Sequence, residues 1–262
     1  MSAASRELDL LVAAAREGGE IAMRWRREGA RSWEKAAGAG PVSEADIEID
    51  RMLHARLLGA RPGYGWLSEE KEDDAARLAH ERIFIVDPID GTRAYIRGDD
   101  GFCIALAVAE AGEVIAAAAH FPAKGETYWA EKGGGAFRDG APLHISGRSE
   151  IDGAAALAGK PQMVPSSWPG GPPPVNRAFR NSLVERHCLV AQGSFDLAFT
   201  LRQAWEWDVA AGALIAEEAG ATVTTAEGGR WRYNAPMPRM PGVVAGPAAL
   251  HADILARLRK AA

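Results

Sequence analysis

Asp87-Pro88-Ile89-Asp90-Gly91-Thr92 follows directly on Ile83-Phe84-Ile85-Val86, and the reading of this stretch decides where the chain keeps its chemistry. Four β-favouring apolar residues in a row predict a strand buried on both faces, with the motif as a turn at its carboxyl end. Pro88 fixes its own φ and Gly91 permits a tight backbone, so Asp87 and Asp90 are held close together. Closely held carboxylates call for a cation. Residues 92 to 96 can open a helix whose first free N–H groups face an anion such as phosphate. Ordinary Pro-Asp-Gly turns with solvated acids use the same residue types, so these six residues alone leave both readings open.

The 262 residues suffice for one large domain or two closely packed lobes with a substantial core. Lys plus Arg number 30 against 35 Asp plus Glu, for a net charge of -5. No block of like charge stands out, which argues against a nucleic-acid partner held by a basic field. The first twenty residues carry acids inside their apolar pattern, and no stretch reaches the length of a membrane span. A cytoplasmic protein with no membrane partner is the expectation. Cys103 and Cys188 each sit among apolar residues, as buried free thiols do.

Working outward, residues 5 to 28 place Leu8, Leu11, Val12, Ala15, Ala22 and Trp25 on one side of a helical net. A Gly- and Ala-rich turn at 36–40 follows, and then a second helix capped by Ser43, with Asp46 closing a capping box. Taken alone, Asp46 does no more than that. Gly63 to Glu70 reads as a turn and a short strand ending in two acids, Glu69 and Glu70, of which only one would look into a site, because strand side chains alternate. A short helix is expected at 74–81, strands at 102–108 and 114–121 joined as a hairpin, and another strand at 127–130. Beyond these, strands are expected at 154–158, 183–190, 195–200, 221–224, around Trp231 and at 242–245. Helices are expected to open at Trp205-Glu206-Trp207-Asp208, with Gly220 as the cap, and to run from 247 to 259. Six prolines between Pro161 and Pro174 read as a rigid surface loop. The fold class is α/β: an α+β lobe over residues 1–145 and an α/β lobe over 146–262 that completes the site.

Spacing removes several chemistries. There is no Gly-x-Ser-x-Gly elbow, no phosphate loop of the required length and no histidine pair at i, i+4. Oxygen ligands remain, and an all-carboxylate site suits Mg²⁺. Pro41-Val42-Ser43-Glu44-Ala45-Asp46, Leu67-Ser68-Glu69-Glu70, Asp87 to Thr92 and Trp207-Asp208-Val209-Ala210-Ala211-Gly212 occur in that order. The set resembles the inositol monophosphatase superfamily of magnesium-dependent, lithium-sensitive phosphatases.

That resemblance implies a layered αβαβα sandwich, a homodimer, a small phosphorylated substrate, and two or three Mg²⁺ ions with inhibition by Li⁺. It implies that Glu69, Asp87 and the carbonyl of Ile89 hold one ion and that Asp87, Asp90 and Asp208 hold another, with a weaker third ion near Glu69. Glu69 rather than Glu70 is the implied ligand. Thr92 and Glu69 would orient the attacking water, Asp46 would support them, and the N–H groups of Gly91 and Thr92 would hold phosphate. Lys35 lies where such proteins often carry a functional lysine, but the Gly-Ala-rich insert leaves it outside the expected site. Animal-type inositol phosphatases place a glutamate seven residues before the last metal-binding aspartate; here that residue is Leu201. Residues 141–146 and 188–193 look more like the bacterial bisphosphate nucleotidase branch. Hydrolysis of 3'-phosphoadenosine 5'-phosphate is therefore the expected activity, with inositol monophosphate or histidinol phosphate as the alternative substrate. A partner-binding regulatory protein on the same fold is the non-enzymatic alternative.

Overall fold

The computed structural model describes residues 3–36 and 40–259. Residues 37–39, inside the expected Gly-Ala turn, lie outside the described residues. Helix α1 (Ala3–Glu28) is followed by a small hairpin, β1 (Ser32–Glu34) with β2 (Pro41–Ser43), and by α2 (Glu44–Ala60). A large sheet is then laid down by β3 (Gly65–Ser68), β4 (Arg82–Asp90), β5 (Cys103–Glu110), β6 (Glu113–Phe121), β7 (Glu126–Glu131), β8 (Gly135–Arg138) and β9 (Ala141–Pro142), in chain order, with α3 (Thr92–Arg97) between β4 and β5. Within this sheet, among the described residues, only the β3–β4 pair is parallel.

The chain then crosses to a second sheet. It runs through β10 (Ala155–Leu157), β11 (Asn176–Ala178), α4 (Leu183–Ala191), β12 (Leu197–Thr200), β13 (Ala204–Trp205), α5 (Glu206–Glu218), β14 (Thr222–Thr224), β15 (Arg239–Met240), β16 (Val243–Gly246) and α6 (Ala248–Arg259). The five-stranded order is β11-β10-β12-β16-β14, and β13 pairs only with β15. Helices α1 and α2 cover one face of the large sheet; α4 and α5 fill the space between the sheets; α6 covers the far face of the small one. The result is an αβαβα sandwich.

Residue size sets these layers. From Phe102 into β5, Phe102, Ile104, Leu106 and Val108 face α1 and α2, whereas Cys103, Ala105, Ala107 and Ala109 face α5. This period of two gives each face one class of side chain. The alanine face lets α5 lie close to the sheet, and the bulky face fills the wider gap beneath α1. On β4 the same alternation sends Ile83 and Ile85 toward α5. Asp87, next in that register, is therefore delivered to the α5 side.

Four expectations are corrected. The motif is not a turn: β4 continues through Asp90, and Asp87 pairs with Ala105 while Asp90 pairs with Cys103, so a bulge absorbs the extra residue. Residues 183–190 form helix α4 rather than a strand. Ser182 caps it by accepting from the Glu185 N–H at 2.8 Å, and packing against α5 overrides its β-type composition. Trp231 belongs to no strand. The proline-rich segment is not purely a surface excursion, because Trp168 is 1% exposed within the core between the small sheet and α6. Its indole N–H donates to the Gln162 carbonyl at 2.8 Å, which satisfies the one polar atom it buries.

Candidate active site

The bulge in β4 and the first turn of α5 bring carboxylate oxygens of Asp87, Asp90 and Asp208 within 4.8 Å of one another. Asp208 accepts the Trp205 N–H at 3.0 Å as the third residue of α5, so it does complement the helix start, as any acid there would. Asp90 is held by α4: Ser182 Oγ donates to Oδ2 at 2.5 Å, the Val184 N–H to the same oxygen at 2.7 Å, and the Leu183 N–H to Oδ1 at 3.3 Å. Asp87 has no such relief. Its Oδ1 is buried with no hydrogen-bond partner.

Gly91 follows with φ 96, and a Cβ there would lie 2.8 Å from the Gly101 carbonyl oxygen and 3.2 Å from Ser182 Cβ. No side chain can be carried at that point. Thr92 begins α3; its hydroxyl donates to the Ile89 carbonyl at 3.0 Å and reaches Asp46 Oδ1 at 3.4 Å. The other Asp46 oxygen accepts from the Ser43 N–H at 2.9 Å and from the Ser43 hydroxyl at 2.5 Å. Asp46 thus closes the expected capping box and also reaches Thr92. The sequence-level choice between capping and site support was a false alternative, because one carboxylate has two oxygens.

Glu69 does not belong to the three-aspartate group. It and Glu70 both accept from Lys35 Nζ, each at 2.7 Å. The expectation that only one of these glutamates faces inward therefore fails. Strand β3 ends at Ser68, so the alternation of a strand no longer governs the next two residues. Lys35, left out on sequence grounds, sits inside the acidic cluster at the end of β1.

Electrostatics sharpen the picture. Burial, reinforced by Glu69 and Asp90, pushes Asp208 up to about 8. Burial likewise raises Asp87 well above the usual carboxylate range, with Glu69, Asp90 and Asp208 adding to it. Asp46 is pushed up to about 6 and Glu70 to about 7, in each case chiefly by burial. Lys35, which burial alone would push down, is raised to about 12 by Glu69 and Glu70. Buried carboxylates with raised pKa values are short of positive charge, and one ammonium cannot compensate Asp46, Glu69, Glu70, Asp87, Asp90 and Asp208 together. Hard oxygen donors, one of them a buried orphan, fit a divalent cation such as Mg²⁺.

Residues 4–262 match the family model described as the inositol monophosphatase family. The chain belongs to the inositol monophosphatase family. It is 36% identical over 198 residues to the inositol-1-monophosphatase of Rhizobium meliloti, covering 72% of this chain and 73% of that one. It is 31% identical over 236 residues to the histidinol-phosphatase of Mycobacterium tuberculosis, covering 83% and 84%. Among solved structures, a Thermotoga maritima IMPase superposes with a TM-score of 0.83 at 25% identity, covering 97% of each chain. The protein is accordingly a phosphoric monoester hydrolase of a generally Mg²⁺-dependent family, and its aspartate cluster can bind metal. These relatives lend no support to the bisphosphate nucleotidase expectation; the inositol monophosphatase alternative fits them better.

Neither Leu201 nor the nearby Glu206 is free to hold a substrate hydroxyl. Leu201 packs toward the core between the small sheet and α6. Glu206 is fully buried and accepts the N–H groups of Asn234 at 2.8 Å and Ala235 at 3.0 Å, which fastens that loop to the start of α5. Among the described residues, no helix is long and apolar enough to cross a membrane.

Proposed function

We propose that this enzyme hydrolyses a small polyol phosphate monoester, with myo-inositol 1-phosphate as its preferred substrate class and histidinol phosphate as the second. The observation that carries the chemistry is the convergence of Asp87, Asp90 and Asp208 from two elements on one buried point. The names of the relatives support the substrate.

Asp87, Asp90 and Asp208, with Glu69 and the Ile89 carbonyl, are the groups that would hold Mg²⁺. When bound, the metal lowers the pKa of an attacking water and neutralises the departing oxygen. The protein's own part is positional. Thr92, at the start of α3, has its hydroxyl aimed by the Ile89 carbonyl and Asp46, and it orients the water together with Glu69. The N–H groups of Gly91 and Thr92 have no acceptor within α3 and receive phosphate oxygens. Lys35 pairs with Glu69 and Glu70, and a bound cation would compete with it for them. As the family resemblance implies, Li⁺ is expected to inhibit.

The test is phosphate release with Mg²⁺ from myo-inositol 1-phosphate, histidinol phosphate and 3'-phosphoadenosine 5'-phosphate. The reading expects the highest kcat/KM on the first, and a loss of at least about 10²-fold in Asp90→Asn. Equal inactivity of wild type and variant on all three would favour a partner-binding role. Preference for the nucleotide would overturn the substrate assignment alone.

A further inference from the structure

Arg186, near the start of α4, is 7% exposed, and among the described residues it forms no ion pair. Helix stability does not explain it, because a cation close to a helix N-terminus opposes the macrodipole and a buried guanidinium without a carboxylate partner is costly. The side chain folds back onto the chain that precedes the helix. Nε and Nη2 both donate to the Arg180 carbonyl oxygen, at 2.9 and 2.6 Å, and the Phe179 ring centroid lies 4.8 Å from Cζ. Among the described residues no backbone N–H reaches that carbonyl. A planar fork with two donors on one oxygen and a ring over its face has little freedom to turn.

The clamped carbonyl stands just before the residues that hold Asp90. Ser182 Oγ and the N–H groups of Leu183 and Val184 all donate to that carboxylate, so the segment from 180 to 184 meets Arg186 at one end and Asp90 at the other. The guanidinium also lies within the field of the aspartate cluster: Asp90, Glu185 and Asp208 act on it, and Arg202 opposes them.

We propose that Arg186 is a positioning residue of the phosphatase site, which braces the segment through which α4 presents its donors to Asp90. The proposal rests on the reading of Asp87, Asp90 and Asp208 as metal ligands. Groups that orient a ligand to a metal change metal affinity when they are lost, even though they never touch the ion. The brace and the bare charge act in opposite directions. A fixed positive charge beside the aspartates repels an arriving cation, so a purely electrostatic role would let Mg²⁺ bind more tightly once the charge is gone. Loss of the brace weakens binding instead, because the Asp90 oxygens are no longer held in one place. Lysine keeps the charge and loses the fork, so Arg186→Lys isolates the brace.

Calorimetric titration of the EDTA-treated full chain with Mg²⁺, in the absence of substrate, tests the proposal. Arg186→Lys should bind Mg²⁺ at least about five-fold more weakly than wild type. In phosphate-release assays the Mg²⁺ concentration for half-maximal rate should rise by a similar factor, while KM for the ester at saturating Mg²⁺ stays within about two-fold. The double variant Ser182→Ala/Arg186→Lys should bind Mg²⁺ no more weakly than the weaker single variant, to within about two-fold, because both changes act through the same turn. Effects that multiply would overturn the shared route through Asp90. An Arg186→Lys protein with a lower melting temperature and an unchanged Mg²⁺ affinity would make Arg186 structural only and overturn the proposal. Wild type that binds no Mg²⁺ would overturn the metal reading, and this proposal with it.

Discussion

Ser182 carries two duties with one hydroxyl. It accepts the Glu185 N–H as the cap of α4 and donates to Asp90. Ser182→Ala removes both, so a stability loss of about 1–2 kcal/mol is expected in urea unfolding. A larger effect is expected on turnover: kcat at the Mg²⁺ concentration that saturates wild type should fall about ten-fold, higher Mg²⁺ should recover part of it, and Ser182→Thr should restore it. A purely structural role would leave the Mg²⁺ dependence unmoved. His187, on the same helix, is wholly buried, and neither ring nitrogen has a partner. Burial, with Arg186 nearby, pushes its imidazole down from the ordinary 6.5 to about 3. Between those values the unfolded chain binds a proton that the folded chain refuses, so stability is present above 6.5 and is lost as pH falls. The slope from this one residue is about 1.4 kcal/mol per pH unit. Denaturant unfolding at several pH values should show a shallower acid limb for His187→Leu than for wild type. Asp87, Asp90 and Asp208 were legible in the sequence because each lies in a dense local motif. Lys35 and Ser182 were not: their partners lie 34 and 92 residues away, and neither residue type is diagnostic at such range.

At the level of elements, α4 and α5 form the middle layer, and their separation is set by Gly212. A Cβ there would lie 2.8 Å from both Cβ and Nδ1 of His187. Alanine in mid-helix is favoured over glycine by roughly 1 kcal/mol, whereas forcing a buried helix pair apart costs about 1–3 kcal/mol. The clash should win, because His187 meets the new methyl with its own Cβ and cannot swing clear. Gly212→Ala is therefore expected to lower stability by about 1–2 kcal/mol in thermal or denaturant unfolding. A stabilised variant would show that α4 can move. Elements read from hydrophobic period alone, such as α1, α2, β5, β6 and α6, match the structure closely. Helix α4 was misread because Leu183-Val184 and Cys188-Leu189-Val190 suit a strand in isolation, while the buried slot beside α5 demands a helix.

Across the whole molecule, the three aspartates tie the large sheet to the middle helical layer through charges that repel until a cation arrives. Mg²⁺ should therefore act as a fastener. At about 100 times its Kd a ligand adds about 2.7 kcal/mol. For a chain of this size that corresponds to a rise of roughly 5–10 °C in Tm over the EDTA-treated protein. Asp87→Asn should abolish most of that rise. It should also raise the Tm of the metal-free protein, because it removes a buried carboxylate with an unpartnered oxygen from the cluster. Scanning calorimetry of both proteins, with Mg²⁺ and with EDTA, decides the matter, and a metal-free variant less stable than wild type would contradict the electrostatic account.

By itself the sequence determined the fold class, most of the elements and the three aspartates that the fold brings together, because hydrophobic period and motif spacing are local properties of the chain. Tertiary structure alone decided that Asp87 lies on the α5 side of β4, that a bulge rather than a turn sets its spacing from Asp90, and that Glu69 and Glu70 share Lys35. Those outcomes depend on which face of a strand is packed against which helix. Burial energy summed over many distant residues settles that choice, and no short stretch of sequence contains it.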